Sequence, residues 1–112
     1  MSGTEFVFIY STFPDAGAAR AVGDRLVRDK LAACVNIHAP MTSVYEWKGK
    51  VETETEVAAF IKTRAELADA AIAAARKLHP YTVPCFLILP IAGGNDDYLE
   101  WARAQTAREA KP

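Results

Sequence analysis

The sequence has little of what holds small extracellular folds together: among its 112 residues there are two cysteines, Cys34 and Cys85. A disulfide scaffold is excluded, and in a reducing compartment both would be free thiols. No apolar stretch is long enough to span a bilayer, and the start, Met1-Ser2-Gly3-Thr4-Glu5, has neither the positive region nor the apolar length of a signal peptide. The expectation is a cytoplasmic protein without membrane association. Thirteen Lys and Arg face fourteen Asp and Glu, a net charge of -1, with no basic stripe, which argues against nucleic-acid binding. Also missing are a glycine-rich phosphate loop, a nucleophile elbow and a metalloprotease pattern, so a non-enzymatic role is expected.

What is present is the composition of an ordinary globular domain, 51% hydrophobic and 24% charged, and residues 1–112 read as one domain. Phe6 to Tyr10 is an apolar run that predicts a central strand. Pro14 and Asp15 start a helix running to about Leu31, with Ala19, Val22, Leu26 and Lys30 on one side. From Ala33 the period becomes two, placing Val35 and Ile37 on one face and Cys34, Asn36 and His38 on the other. After Pro40, Thr42 to Trp47 alternates again, and Trp47-Lys48-Gly49-Lys50 reads as a hairpin turn into an unusually long strand.

On that strand Thr53, Thr55, Val57, Ala59 and Ile61 share one face, and Glu52, Glu54, Glu56, Ala58 and Phe60 the other. The glutamate triplet reads as a solvated face that discourages wrong edge pairing, in preference to a metal site. A two-stranded ribbon of this length is barely stable alone, and with Tyr45 and Trp47 near its tip it needs a cover. A second copy of the chain is the simplest one.

Thr63-Arg64-Ala65-Glu66 has the form of a capping box, with Leu67, Ala71, Ala74 and Leu78 forming the apolar stripe of the helix behind it. Then comes Leu78-His79-Pro80-Tyr81-Thr82-Val83-Pro84-Cys85, where two prolines stiffen the chain and push His79 and Val83 out of helix. A buried strand, Phe86 to Leu89, is closed by Pro90. After Gly93-Gly94-Asn95, the acidic residues Asp96, Asp97 and Glu100 open a last helix with Tyr98, Trp101 and Ala102 on its apolar side, fraying beyond about Gln105. This order predicts an α+β, ferredoxin-like βαββαβ sandwich: a four-stranded antiparallel sheet, two helices on one face, a long β-hairpin and a short C-terminal helix.

The candidates for chemistry gather at the proline-bound junction. His79 offers an imidazole and Cys85 a thiol, with Cys34 as the second thiol; against this, His79 can also cap its own helix, and each cysteine alone reads as a small buried hydrophobe. One His and one Cys are too few for a closed four-ligand site, so metal binding would draw on a second chain or on water.

Several segments together resemble the CutA family, the divalent-cation tolerance proteins: Lys30-Leu31-Ala32-Ala33-Cys34-Val35-Asn36-Ile37, Thr42-Ser43-Val44-Tyr45-Glu46-Trp47-Lys48-Gly49-Lys50, Glu56-Val57 with Ile61-Lys62-Thr63, His79-Pro80-Tyr81-Thr82-Val83-Pro84, and Tyr98-Leu99-Glu100-Trp101. The resemblance covers nearly the whole chain. It implies a subunit of a PII-like homotrimer that exchanges its long hairpins, and a link to divalent metal ions, copper above all, in the response to metals. On this reading His79, Cys85 and Cys34 are the metal candidates. The family's motif usually continues Val-Pro-Glu where this chain has Cys85, a softer donor suited to copper(I) or zinc. Some members also carry a cysteine and a second histidine where this chain has Ser11 and Leu78. The alternative is a PII-like regulatory or adaptor trimer that binds a small anionic ligand or a partner protein in the intersubunit cleft, with charge from Lys62, Arg64 and His79.

Overall fold

The computed structural model describes residues 4–107. Its strands are β1 (Phe6–Phe13), β2 (Cys34–Ile37), β3 (Met41–Trp47), β4 (Lys50–Arg64) and β5 (Leu87–Ile91); its helices are α1 (Ala16–Arg28), α2 (Ala68–Leu78) and α3 (Asp96–Gln105). The sheet order is β2-β4-β1-β5, every pairing is antiparallel, and β3 pairs with the outer half of β4. This is the expected ferredoxin-like arrangement. Its organising element is β4, whose fifteen residues pair with β1 and β2 along one half and with β3 along the other. A strand of that length reaches about 50 Å, so the ribbon projects from the sandwich and sets the 49 Å long axis of the molecule.

The ribbon turns at Lys48 (φ 52°) and Gly49 (φ 82°), joining the paired residues Trp47 and Lys50. Two successive residues with positive φ make the tight turn whose twist suits a two-residue hairpin. Trp47-Lys48-Gly49-Lys50 was legible for this reason.

Alternation along the strands builds the core. Val7, Ile9 and Phe13 of β1 and Val57, Ala59 and Ile61 of β4 face Ala19, Val22 and Leu26 of α1 and Ala68, Ala71 and Ala75 of α2. The small side chains of α2 let that helix lie close to its neighbours. At Gly23 a Cβ would stand 3.3 Å from the Val35 side chain, so glycine here allows the close approach of α1 to β2. On the other sheet face, Phe60 meets Phe8, Tyr10 and His38 edge-on, with centroids 5.9, 5.3 and 5.2 Å away.

Four local expectations are corrected. The first helix stops at Arg28, short of Leu31, because Lys30 takes a left-handed backbone (φ 59°) and the Leu31 and Ala32 amides both return to the Leu26 carbonyl. The capping box does not form: Thr63 belongs to β4, its hydroxyl donates to the Leu31 carbonyl at 2.7 Å, and a 3-10 turn, Ala65–Leu67, precedes α2. A long-range bond has captured the capping oxygen. The last strand runs Leu87–Ile91 and contains Pro90, which an edge strand tolerates. As an edge it is exposed in the single chain, Leu87 by 58%, where a buried strand was expected. Finally, α3 packs through Leu99 and Ala102 against Phe6, Ala33 and Ile91, leaving Tyr98 and Trp101 on the surface. Of the residues beyond Gln105 expected to fray, 108–112 lie outside the described residues.

Two hydroxyls on the buried side of the sheet have opposite standing. Thr63 is 2% exposed and bonded, whereas the fully buried Ser11 Oγ has no hydrogen-bond partner among the described residues. Thr63→Val strands the Leu31 carbonyl and is expected to cost about 1–2 kcal/mol in denaturant unfolding, while Ser11→Ala is expected to leave stability unchanged or raise it by up to about 1 kcal/mol. Equal losses in the two variants would contradict this assignment.

Candidate functional site

Helix α2 ends where Pro80 forces His79 into an extended backbone (φ -75°, ψ 132°). The imidazole does not cap the helix; it turns back across the molecule to β1. Nε2 lies 2.8 Å from the Thr12 carbonyl, and the Tyr81 amide donates to Nδ1 at 3.2 Å. A carbonyl only accepts and an amide N–H only donates, so the ring is the neutral Nε2–H tautomer with both nitrogens engaged. Phe13 stacks on it at 4.6 Å and Phe86 meets it edge-on at 5.7 Å. His79 is 8% exposed, and burial lowers its pKa below the ordinary 6.5. In this chain the ring is a clamp between the junction and β1.

The clamp fixes Tyr81, whose hydroxyl donates to Glu56 Oε2 at 2.7 Å. Burial first, and then the Glu56 hydrogen bond and charge, push the phenol well above its usual range, so it remains a donor. Glu56 occupies the innermost pair of the ribbon, opposite Met41, and the next residue, Val57, already pairs with Phe13 of the sandwich. The carboxylate therefore sits where the ribbon emerges. Around it lies an open pocket of about 400 Å³ lined by Thr12, Tyr45, Trp47, Glu56, Tyr81 and Cys85, among others. Burial and then the Glu56 charge push the Cys85 thiol up; Tyr45 is raised by desolvation and then by Glu54, Glu56 and Glu52. The pocket has a negative potential.

The three metal candidates are not gathered in one chain. Cys85 lines the pocket, and His79 is adjacent in sequence but has no free nitrogen lone pair. Cys34 pairs with Lys62, six residues along β4 from Glu56, or about 20 Å. Asn36 Nδ2 donates to its sulfur at 3.7 Å. Among the described residues no three His, Cys, Asp or Glu side chains cluster closely enough to hold a metal ion.

The charges offered for an anion are also dispersed. Arg64 is held by the Thr106 hydroxyl and carbonyl and by Glu66, and Lys62 lies over the rings of Phe8 and Tyr98.

The residue that sequence reasoning set aside is Glu56, read with its neighbours as a solvated strand face. It stands with Glu52 and Glu54 on one strand face, but the same face continues into Ala58 and Phe60, so Glu56 is the carboxylate at the boundary between solvent and sandwich. That change of character along one face was the available signal.

The His79 clamp has a pH consequence. Its folded pKa lies below the unfolded value near 6.5, so the unfolded chain takes up the proton first; stability is unaffected above pH 6.5 and falls as pH drops below it. Urea midpoints measured between pH 7.5 and 5 are expected to decline on the acid side, and the decline is expected to be shallower in His79→Gln. Parallel pH profiles for the two proteins would refute the clamp.

Comparison with known proteins bears on the family and the fold. Residues 7–105 match the family model described as CutA1 divalent ion tolerance protein. The chain is 42% identical over 100 residues to "Protein CutA, chloroplastic" of Arabidopsis thaliana, covering 89% of this chain and 55% of that protein. It thus spans about half the length of that plant relative. It is also 42% identical over 95 residues to the "Divalent-cation tolerance protein CutA" of Thermus thermophilus, covering 85% and 92% of the two chains. The crystal structure of CutA1 from Shewanella sp. SIB1 superposes with a TM-score of 0.91 at 34% identity, over 96% of this chain and all of that one. With the βαββαβ sandwich, the projecting ribbon and the His-Pro-Tyr junction all in place, the chain belongs to the CutA1 divalent ion tolerance family.

Proposed function

We propose that this protein is a non-catalytic homotrimer that binds copper or another divalent metal ion in the cellular response to metals, with Cys85 as its principal soft donor. The observation that carries this reading is the pairing of the Cys85 thiol with the Glu56 carboxylate in one negative pocket. Burial and, after it, the Glu56 charge disfavour the thiolate, and a bound cation offsets both, so binding and thiol ionisation favour each other. Thiolate with carboxylate suits a borderline or soft ion better than magnesium. Two donors do not close a site; the remainder would come from water or from a neighbouring subunit, the route by which Cys34 or a rearranged His79 would enter.

Assembly is supported by what the single chain leaves uncovered. Val51 is 74% and Val44 67% exposed on the ribbon, and β2 and β5 are unpaired edges of the sheet. Open edges and apolar ribbons are ordinarily closed by pairing. A binding role in preference to catalysis is supported by the same site: Cys85 is held as a thiol and His79 has no free nitrogen to act as a base. Both cysteines are free, in keeping with a cytoplasmic location, and among the described residues no helix is long and apolar enough to cross a membrane. The reading as an anion-binding regulatory trimer is weaker, because its charges are engaged elsewhere and the pocket repels anions.

Light scattering of the reduced protein is expected to give three times the chain mass. In calorimetric titrations with zinc and copper(I), run in buffers of different ionisation enthalpy, uptake is expected to release about one proton per site. Cys85→Ser is expected to weaken binding at least tenfold and to abolish the proton release. Unchanged binding in that variant would remove Cys85 from the site.

A further inference from the structure

We propose that the Glu56 pocket also accepts a small organic cation, an alkylammonium or guanidinium group seated on the Glu56 carboxylate between the aromatic walls. This deepens the cation reading above by naming a second ligand class for the same pocket, and it rests on that reading. The first argument is size. At about 400 Å³ the pocket is far larger than an ion bound by a thiol and a carboxylate requires. The walls are the second argument. Tyr45, Trp47 and Tyr81 place three rings around the space, with Pro80 and Val83 adding apolar surface. These groups offer little to a metal, whereas ring faces attract an organic cation and apolar walls cover its alkyl body.

Charge is the third argument. Among the described residues, Glu56 is the only charged one lining the pocket, and no Lys, Arg or His joins it. An ionised carboxylate accepts at about four positions, and the Tyr81 hydroxyl occupies one oxygen, so acceptor capacity remains for an N–H donor. The Tyr81 bond also fixes where the carboxylate points, and the Tyr81 amide is itself held by His79. One wall is thus anchored to the sandwich. The other, Tyr45 and Trp47, stands on the ribbon, so an occupant would bridge the two parts of the fold.

The test uses full-length reduced protein carrying Trp101→Phe, so that emission reports Trp47 alone. Butylammonium, butylguanidinium and the neutral 1-butanol are titrated, with calorimetry alongside. Saturable binding of at least one cation is expected in the millimolar range or tighter, with 1-butanol at least tenfold weaker. Glu56→Gln is expected to reduce cation affinity at least tenfold without changing the response to 1-butanol, and Tyr45→Leu, at an exposed ribbon position, is expected to weaken the cation severalfold. Cys85→Ser is expected to retain the organic cation while losing zinc. Equal binding of butylammonium and 1-butanol, or Glu56→Gln and Tyr45→Leu affinities matching the parent, overturns the proposal. Zinc uptake with no response to either organic cation overturns it too and leaves the metal reading standing; the converse result sinks the metal reading and leaves this one.

Discussion

The fold depends on one strand being too long for the sandwich it belongs to. Half of β4 is an interior strand, with β1 on one side and β2 on the other, and its alternating Val57, Ala59 and Ile61 supply the floor of the core. Among the described residues the other half pairs with β3 alone, and its side chains are a lysine, glutamates, threonines and an exposed valine. The same backbone thus passes from an apolar to an aqueous environment within two residues. Glu56 stands at that boundary, half-buried, and the pocket forms around it.

A half-buried carboxylate needs partners, and the junction after α2 provides one. Pro80 ends the helix, His79 is turned onto Thr12 and Phe13, and its Nδ1 holds the Tyr81 amide, which brings the phenol to Glu56. In the single chain the histidine acts through position, with both ring nitrogens engaged. Cys85 follows on the same stiffened segment, so the thiol and the carboxylate come from elements distant in sequence but share one field. The chain's membership of a divalent-cation tolerance family and the negative character of this pocket point in the same direction.

Much of the architecture was legible in the sequence because it is periodic. The period-two runs of β2 and β3, the Lys48-Gly49 turn and the proline break at His79 are each fixed by local sterics, and the structure has them where the pattern places them. What failed to read locally was decided by distant groups. Thr63 looked like a helix cap, and the Leu31 carbonyl, reached through tertiary folding, took its hydroxyl instead. Leu87 to Leu89 read as buried because they are apolar, but their exposure depends on lying at the sheet edge. At the candidate site, Cys85 of the proline-bound junction lines the pocket. The role of His79 and what sets Glu56 apart from Glu52 and Glu54 were hidden, since both follow from contacts between residues at least 25 positions apart.

The central claim is that Glu56 and Cys85 are electrostatically coupled within one pocket. Its most direct measurement is the thiolate absorbance of Cys85 against pH, taken in a Cys34→Ser background so that one thiol titrates, with and without Glu56→Gln. The account predicts a thiol pKa above the ordinary 9.0 in the parent and a fall towards that value once the carboxylate is neutralised. An unperturbed thiol in the parent, or the same elevated value in both proteins, would contradict it.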